Sequence, residues 1–370
     1  MATLLYVAGA RPNFVKIAPL LTALSRRSGL EHVLAHTGQH YDRELSAEIL
    51  GDLELPRPDH FLGVGSGSHG AQTARALAAC EQLLLEVRPD LLVVAGDVNS
   101  TLAGALAAAK LGTPIVHLES GLRSFDWTMP EEINRVLTDR LSDVLLTHSP
   151  EALDNLAREG VDGSTVFLVG NTMVDSLRRF EPNARERETW RGLGLDRRGY
   201  VLVTLHRPSN VDTPAQLAAV VRALVGLAGE AEVVFPVHPR TRARLESTGA
   251  WSTLVDGGVR CLDPLGYLDF LSLQLAAGAV VTDSGGIQEE ASALGVPCYT
   301  LRPNTERPIT ISHGTNTLIG DDPAALRDVR IPAVEPTPRV IPLWDGHAAE
   351  RAADVLESFL ARSLARGRAA

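Results

Sequence analysis

Cysteine, lysine and long apolar runs are all scarce in this 370-residue chain, and each scarcity excludes something. Cys80, Cys261 and Cys298 are far apart, odd in number and outside any zinc-ligand spacing. A disulfide framework and a zinc finger are therefore not expected, and a reducing compartment with small buried thiols is. No stretch approaches the ~18 apolar residues of a spanning helix. The start, Met-Ala-Thr-Leu-Leu-Tyr-Val-Ala-Gly, lacks a basic region and is cut short by Arg11-Pro12, so it reads as a first strand and not as a signal peptide. The expectation is a soluble, cytoplasmic protein with no membrane partner.

Lysine occurs only as Lys16 and Lys110, leaving arginine to carry nearly all the positive charge, and the net charge is −10. That balance argues against a nucleic-acid partner. An acidic protein that holds an anion must do so locally, with a few basic side chains and backbone amides.

With 45% apolar residues over this length, the chain exceeds one ordinary α/β domain, and two domains are expected. Strand-like runs recur at Thr3 to Val7, His32 to His36, Leu91 to Ala95, Pro114 to Leu118, Val144 to Thr147 and Thr165 to Val169. Stretches of helical period, such as Pro19 to Arg26, Gln72 to Glu86 and Thr101 to Leu111, lie between most of them. A charged segment, Arg178 to Arg198, breaks the pattern. A second series follows at Tyr200 to Leu205, Glu232 to Val237, Val259 to Leu262, Ala279 to Thr282, Pro297 to Leu301 and Asn316 to Ile319. The fold class is thus α/β, with two doubly wound Rossmann-like domains whose parallel sheets face a central crevice. Their expected extents are 1–172, joined by a C-terminal helix over 346–366, and 173–345.

The stretch Ala279 to Gly295 has the strand, turn, helix order of a phosphate site: an apolar run, Asp283-Ser284, a turn on Gly285-Gly286, then helical character. Helix N-terminal N–H groups and the positive dipole end favour an anion there, and paired glycines let a phosphate approach. The plain alternative is a tight turn with Glu289 and Glu290 complementing the dipole. Polar residues also collect at strand ends: Arg11 and Lys16, Asp97, His117 and Glu119, His206 and Arg207, and His238. Asp97 alone reads equally well as a helix cap, and His238 alone as a structural histidine. Five strand ends agreeing is harder to dismiss.

Two other patterns carry less. Gly65-Ser66-Gly67-Ser68-His69-Gly70 matches the dinucleotide fingerprint but follows only a short run, and its acid would be Glu86, inside a helix, so it reads as a flexible loop. His36, His40 and Asp42 lack the spacing of a metal site. Neither a metal nor a cofactor is expected.

The blocks Gly9-Ala10-Arg11-Pro12-Asn13-Phe14-Val15-Lys16, Thr37-Gly38-Gln39-His40, Gly96-Asp97, His117-Leu118-Glu119-Ser120-Gly121-Leu122-Arg123 and Pro130-Glu131-Glu132-Ile133-Asn134-Arg135 come in a telling order. Gly170-Asn171-Thr172, Leu205-His206-Arg207, Pro236-Val237-His238, Asp283 to Glu290 and Thr305-Glu306-Arg307-Pro308 continue it. Together they resemble the non-hydrolysing UDP-N-acetylglucosamine 2-epimerases over nearly the whole chain.

The resemblance implies a glycosyltransferase-B-like fold, a UDP-sugar substrate, a homodimer and a role in polysaccharide biosynthesis. It implies that Asp97, Glu119, Glu131 and His206 are catalytic. Ser284, Gly285 and Gly286 would hold the diphosphate, Glu290 the ribose, and Phe270 would wall the uracil pocket. Arg11, His206 and Arg307 would meet phosphate charge, with Lys16, Arg207 and His238 also at the substrate. Gln39, His40 and Gln72 would form a possible allosteric site. The chain departs from regulated members in reading His40-Tyr41-Asp42-Arg43 after Gln39, which puts activation by substrate in doubt and leaves room for a related sugar such as a UDP-diacetamido-uronate. A hydrolysing epimerase, a glycosyltransferase of the same fold and a nucleotide-sugar sensor are the competing readings.

Overall fold

The computed structural model describes residues 1–38, 50–334 and 340–367, and the side chains of these up to residue 363. Two compact units emerge: residues 1–179 with the chain from Pro342 onward, and residues 180–341. The division falls inside a helix, Thr172–Arg187, within the segment where the sequence pattern breaks and a few residues beyond the expected boundary at 172.

The first unit carries a seven-stranded sheet in the order β3-β2-β1-β4-β5-β6-β7. Its strands are β1 (Ala2–Ala8), β2 (Leu30–His36), β3 (His60–Phe61), β4 (Leu91–Ala95), β5 (Ile115–Ser120), β6 (Val144–Thr147) and β7 (Val166–Leu168). Every pairing is parallel. The second unit holds six parallel strands in the order β10-β9-β8-β11-β12-β13. They are β8 (Tyr200–Thr204), β9 (Glu232–Pro236), β10 (Arg260–Leu262), β11 (Ala279–Thr282), β12 (Cys298–Thr300) and β13 (Asn316–Leu318).

These strands read as apolar runs because helices cover both faces of each sheet. In the second unit Val201, Val203, Val233, Phe235 and Val281 enter one core, while Tyr200, Leu202, Val234 and Val280 enter the other. That is the two-residue period of a strand buried on both sides. Strand order reverses between β1 and β4 in one sheet and between β8 and β11 in the other. Connections leave in opposite directions at such points and open a crevice at the strands' carboxyl ends.

Three expectations need correcting. The helix expected from Pro19 begins at Arg11 and runs to Ser25, with Pro19 inside it. Proline cannot donate to the carbonyl four residues back, at Val15; the hydroxyl of Ser176 donates to that carbonyl instead, at 2.6 Å. The Gly65–Gly70 stretch is a loop only as far as Ser68, since the helix His69–Val87 takes in its last two residues, and its carbonyls have partners. Gln72 donates to the Gly65 carbonyl, and Arg75 donates to those of Val64 and Ser66, each at 2.9 Å. His60–Phe61, a run too short to read as a strand, adds to the sheet edge beside β2. No helix among the described residues is long and apolar enough to cross a membrane.

The chain re-enters the first unit through Leu343 and ends in the helix Ala348–Gly367. Asp175 accepts from the Ala348 and Ala349 N–H groups at 3.1 and 2.6 Å, satisfying donors the helix start leaves over. The return path also needs Gly170, at φ +92°, where an added Cβ would stand 2.2 Å from the Leu343 carbonyl oxygen. Gly170→Ala is expected to cost roughly 3 kcal/mol through strain and clash together; urea unfolding followed by circular dichroism checks it, and a loss below about 1 kcal/mol would show that the segment shifts aside freely.

Candidate active site

In the first unit the reversal point is stapled by Asn13. Its side-chain oxygen accepts from the Gly9 and Ala10 N–H groups, and its amide donates to the Ala95 carbonyl at 2.7 Å. The turn after β1 is thereby tied to the end of β4. Lys16, one turn further along the helix, brings its Nζ 2.8 Å from Glu119 Oε1, with both side chains buried. The same ammonium lies 3.1 Å from where a Cβ would stand on Gly96, whose φ is +64°. Lys16, expected at the substrate, thus meets one of the expected catalytic carboxylates.

Glu119 has φ +68°, a costly conformation for a residue with a Cβ. It lies where the β5–β6 register shifts between Leu118 and Ser120, a bulge that re-aims the side chain at the strand's end. Strain at a buried carboxylate is a recurrent mark of functional sites.

Asp97 does not cap the next helix: the cap position of Asn99–Leu111 is Val98. The Asp97 carboxylate meets Arg135 Nη2 at 2.5 Å, and Arg135 Nη1 meets Glu132 at 2.5 Å. Glu132 in turn accepts from the Ser124 N–H and hydroxyl and from the Phe125 N–H. Glu131 is half-buried in the first turn of the same helix, Pro130–Leu141, and Arg11 is half-buried at the first position of its own. His117 proves structural: fully buried, it joins Asp139 at 2.6 Å and the Gly96 carbonyl at 2.8 Å.

In the second unit the organising residue is Asp283, wholly buried at the end of β11. Its oxygens accept from the His206 and Arg207 N–H groups and the Asn210 amide at 2.9 to 3.1 Å. His206 Nδ1 lies 3.2 Å from it, while 38% of the His206 side chain stays exposed. The His238 ring stands 5.6 Å from that of His206. His238 Nδ1 also accepts from the Arg240 N–H and so caps the helix Pro239–Ser247.

The helix Gly285–Leu294 starts beside this group with Ser284 at its cap position, the Ser284 N–H donating to the Thr282 hydroxyl. A Cβ on Gly285 would lie 2.3 Å from Arg307 Nη1; this glycine makes room for a guanidinium, a reason the motif alone did not give. Arg307 is buried against Glu289 at 2.9 Å and Glu306 at 2.5 Å. Glu306 also meets Arg302 at 2.8 Å and Arg207 at 3.9 Å. Three guanidinium groups meet Glu289 and Glu306 here, and with Asp283 two residues before the helix start their formal charges cancel; what can attract an anion is the helix N-terminus and the more exposed Arg207. Glu290 is buried one position beyond Glu289, and Phe270 packs into the core with Leu273 and Val296, 9% exposed.

Gln72 is buried and accepts from the Asn99 amide at 2.8 Å; Gln39 and His40 lie outside the described residues. Burial pushes the thiols of Cys80 and Cys298 up to about 12 and that of Cys261 to about 11, so all three stay protonated near neutral pH and none is a ready nucleophile. No cluster of three potential metal ligands occurs among the described residues. Sequence reasoning quoted Glu132, Arg135, Asp283 and Glu306 inside motifs without giving them work. Their acid–base spacing, Glu132 to Arg135 across one helical turn, was the available signal.

A family model for UDP-N-acetylglucosamine 2-epimerase matches residues 22–357. The chain is 42% identical to the UDP-N-acetylglucosamine 2-epimerase of Methanocaldococcus jannaschii over 85% of its own length and 88% of the relative's. It is equally similar, at 42% over 86% and 88%, to the UDP-2,3-diacetamido-2,3-dideoxy-D-glucuronate 2-epimerase of Pseudomonas aeruginosa. The crystal structure of the Methanocaldococcus jannaschii protein in complex with UDP-GlcNAc and UDP superposes with a TM-score of 0.90 at 38% identity, covering 96% of this chain and 99% of that one. That of the Neisseria meningitidis protein bound to UDP-GlcNAc gives 0.85 at 27%, covering 96% and 100%.

The Lys16–Glu119 pair allows a direct check. Lys16→Met strands a buried carboxylate and is expected to cost about 3–5 kcal/mol. Lys16→Met combined with Glu119→Gln should recover much of that loss in urea unfolding, and a double variant no more stable than the single would show that the pair is not the cause.

Proposed function

This chain belongs to the UDP-N-acetylglucosamine 2-epimerase family, and from that premise we propose that it interconverts UDP-N-acetylglucosamine and UDP-N-acetylmannosamine without hydrolysis. The observation that carries the mechanism is the pair of carboxylates, Asp97 and Glu119, at neighbouring strand ends, each met by a cation. Glu131 joins them as a third acid on the helix that also bears Arg135.

The C2 proton of the sugar is not next to a carbonyl, so its direct removal leaves an unstabilised carbanion. Departure of UDP from C1 first gives that carbon oxocarbenium character and acidifies the C2–H bond. A carboxylate then takes the proton and a 2-acetamidoglucal results. Protonation at C2 from the opposite face and return of UDP to C1 complete the epimer. Two proton-handling groups are needed, one for each face, with positioning and acid–base catalysis supplying the rate. Asp97, Glu119 and Glu131 are our candidates for this work.

UDP is held by the second unit in this reading. The N–H groups at Gly285 and Gly286, with the Ser284 side chain at the cap position, face the diphosphate, and Arg207, with 18% of its side chain exposed, adds charge. His206, its ring oriented by Asp283, reaches the leaving phosphate, and His238 stands beside it. Glu290 takes the ribose hydroxyls, and Phe270 presents its remaining exposed edge to uracil. Arg307 contributes through its place across Gly285.

In deuterated water, the recovered sugar nucleotide is expected to carry deuterium at C2, and the products to be nucleotide sugars with no accumulating free N-acetylmannosamine. Free sugar and UDP as the end products would establish the hydrolysing reaction instead. Asp97→Asn is expected to lower kcat at least about 100-fold with KM little changed, as loss of a proton-transfer group does. The equal identity to a diacetamido-uronate epimerase makes the second substrate for the same assay UDP-2,3-diacetamido-2,3-dideoxy-D-glucuronate. A kcat/KM tenfold higher for that sugar would transfer the assignment to it.

A further inference from the structure

We propose that Arg135 is a positioning residue for this reaction, holding Asp97 in fixed relation to Glu131, an inference that rests on the epimerase reading. Arg135 is among the largest wholly buried side chains. Of the ion-paired triad it makes, Glu132 and Arg135 have 1% and 2% of their side chains exposed, while Asp97 has 20%. The network therefore has one open end, and that end is the carboxylate proposed to handle the proton.

The other end is anchored. Glu132 is held by three donors from Ser124 and Phe125, so the Glu132 carboxylate is fixed before Arg135 meets it. A planar guanidinium that bonds two carboxylates through different nitrogens cannot rotate without losing one of them. Asp97 inherits that rigidity. The neighbouring Asn134 grips the same residue by its backbone, donating to the Asp97 carbonyl at 2.9 Å and reaching Asn99 at 3.1 Å.

Helical spacing explains why this matters for Glu131. Residues 131 and 135 are four apart and share a face of the helix Pro130–Leu141. Pinning Arg135 to Asp97 therefore fixes the distance between two of the proposed catalytic carboxylates through one short helical turn. Arg135 itself stays buried behind Asp97 and acts through it. A displacement of a reacting group by about 1 Å is enough to cost about 100-fold in rate.

The experiment compares wild type, Arg135→Gln, Arg135→Lys, Asp97→Asn and the two Arg135 variants built on Asp97→Asn, by steady-state kinetics and by deuterium incorporation at C2. Arg135→Gln is expected to lower kcat about 100-fold with KM within about threefold of wild type. Arg135→Lys should lose less, about tenfold, since it keeps the charge but not the fork. On Asp97→Asn, either change should cost under about threefold more, because residues that act as one unit are not additive. Losses that multiply, a KM effect without a kcat effect, or a kcat within threefold of wild type in both variants would overturn the proposal. Should Arg135→Gln fail to give a cooperative melt, the lysine variant in the two backgrounds decides alone. A wild-type protein that places no deuterium at C2 overturns the functional reading and this inference with it; an active wild type with multiplying losses overturns this inference alone.

Discussion

A carboxylate taken out of water must be met by a positive charge or a row of N–H groups, or it destabilises the fold by several kcal/mol. This chain carries acids to the strand ends of both sheets and meets each requirement differently. Glu119 has an ammonium, Asp97 and Glu132 share a guanidinium, Glu306 sits among arginines, and Asp283 accepts from backbone and amide donors. The partners come from elements distant in sequence: Lys16 reaches Glu119 across 103 residues, and Asp283 gathers donors 73 to 77 residues away. Those pairings fix where the strand-end turns lie, so the chemistry of the sites and the stability of the turns are one problem.

Much of this could be read from the sequence because both sheets are buried on two faces. Continuous Val and Leu runs such as Leu91–Ala95 and Ala279–Thr282 give strand positions directly, and parallel topology then assigns function to whatever polar residue follows them. Asp97, Glu119, His206 and the Ser284–Gly286 turn were visible in that way. What stayed hidden depended on distant partners. Nothing near Pro19 announces that Ser176 will satisfy the Val15 carbonyl and let the helix run through. At Gly65 the partners are only 7 to 11 residues on, but nothing in the composition there marks Gln72 and Arg75 as donors to its loop.

Gly285 shows how a correct residue can be noticed for an incomplete reason. A glycine after a strand and before a helix suggests room for phosphate. The structure adds a more immediate requirement, since the Arg307 guanidinium occupies the space a Cβ would take. The two requirements reinforce each other: the glycine admits an arginine, the arginine is neutralised by Glu289 and Glu306, and Glu306 in turn collects Arg302 and Arg207. Positive charge is thereby brought to the helix start in a form that is mostly buried and already paired. The more exposed Arg207 is the member best placed to meet an anion.

The scarcity of lysine has its own explanation at Lys16. Arginine is the usual choice for a buried pair in this chain, because its planar fork bonds two acceptors at once. At Lys16 that fork would be a liability. The ammonium fits 2.8 Å from one oxygen of Glu119 and 3.1 Å from the Cβ position of Gly96, in the angle between a bulged strand and a left-handed turn. A guanidinium, larger and flat, would press on the turn that carries Asp97. A compact charge on a flexible stem neutralises Glu119 without disturbing its neighbour. Lysine thus occurs in an arginine-rich chain where a strained strand end at Glu119 and a glycine turn at Gly96 leave space for one small cation.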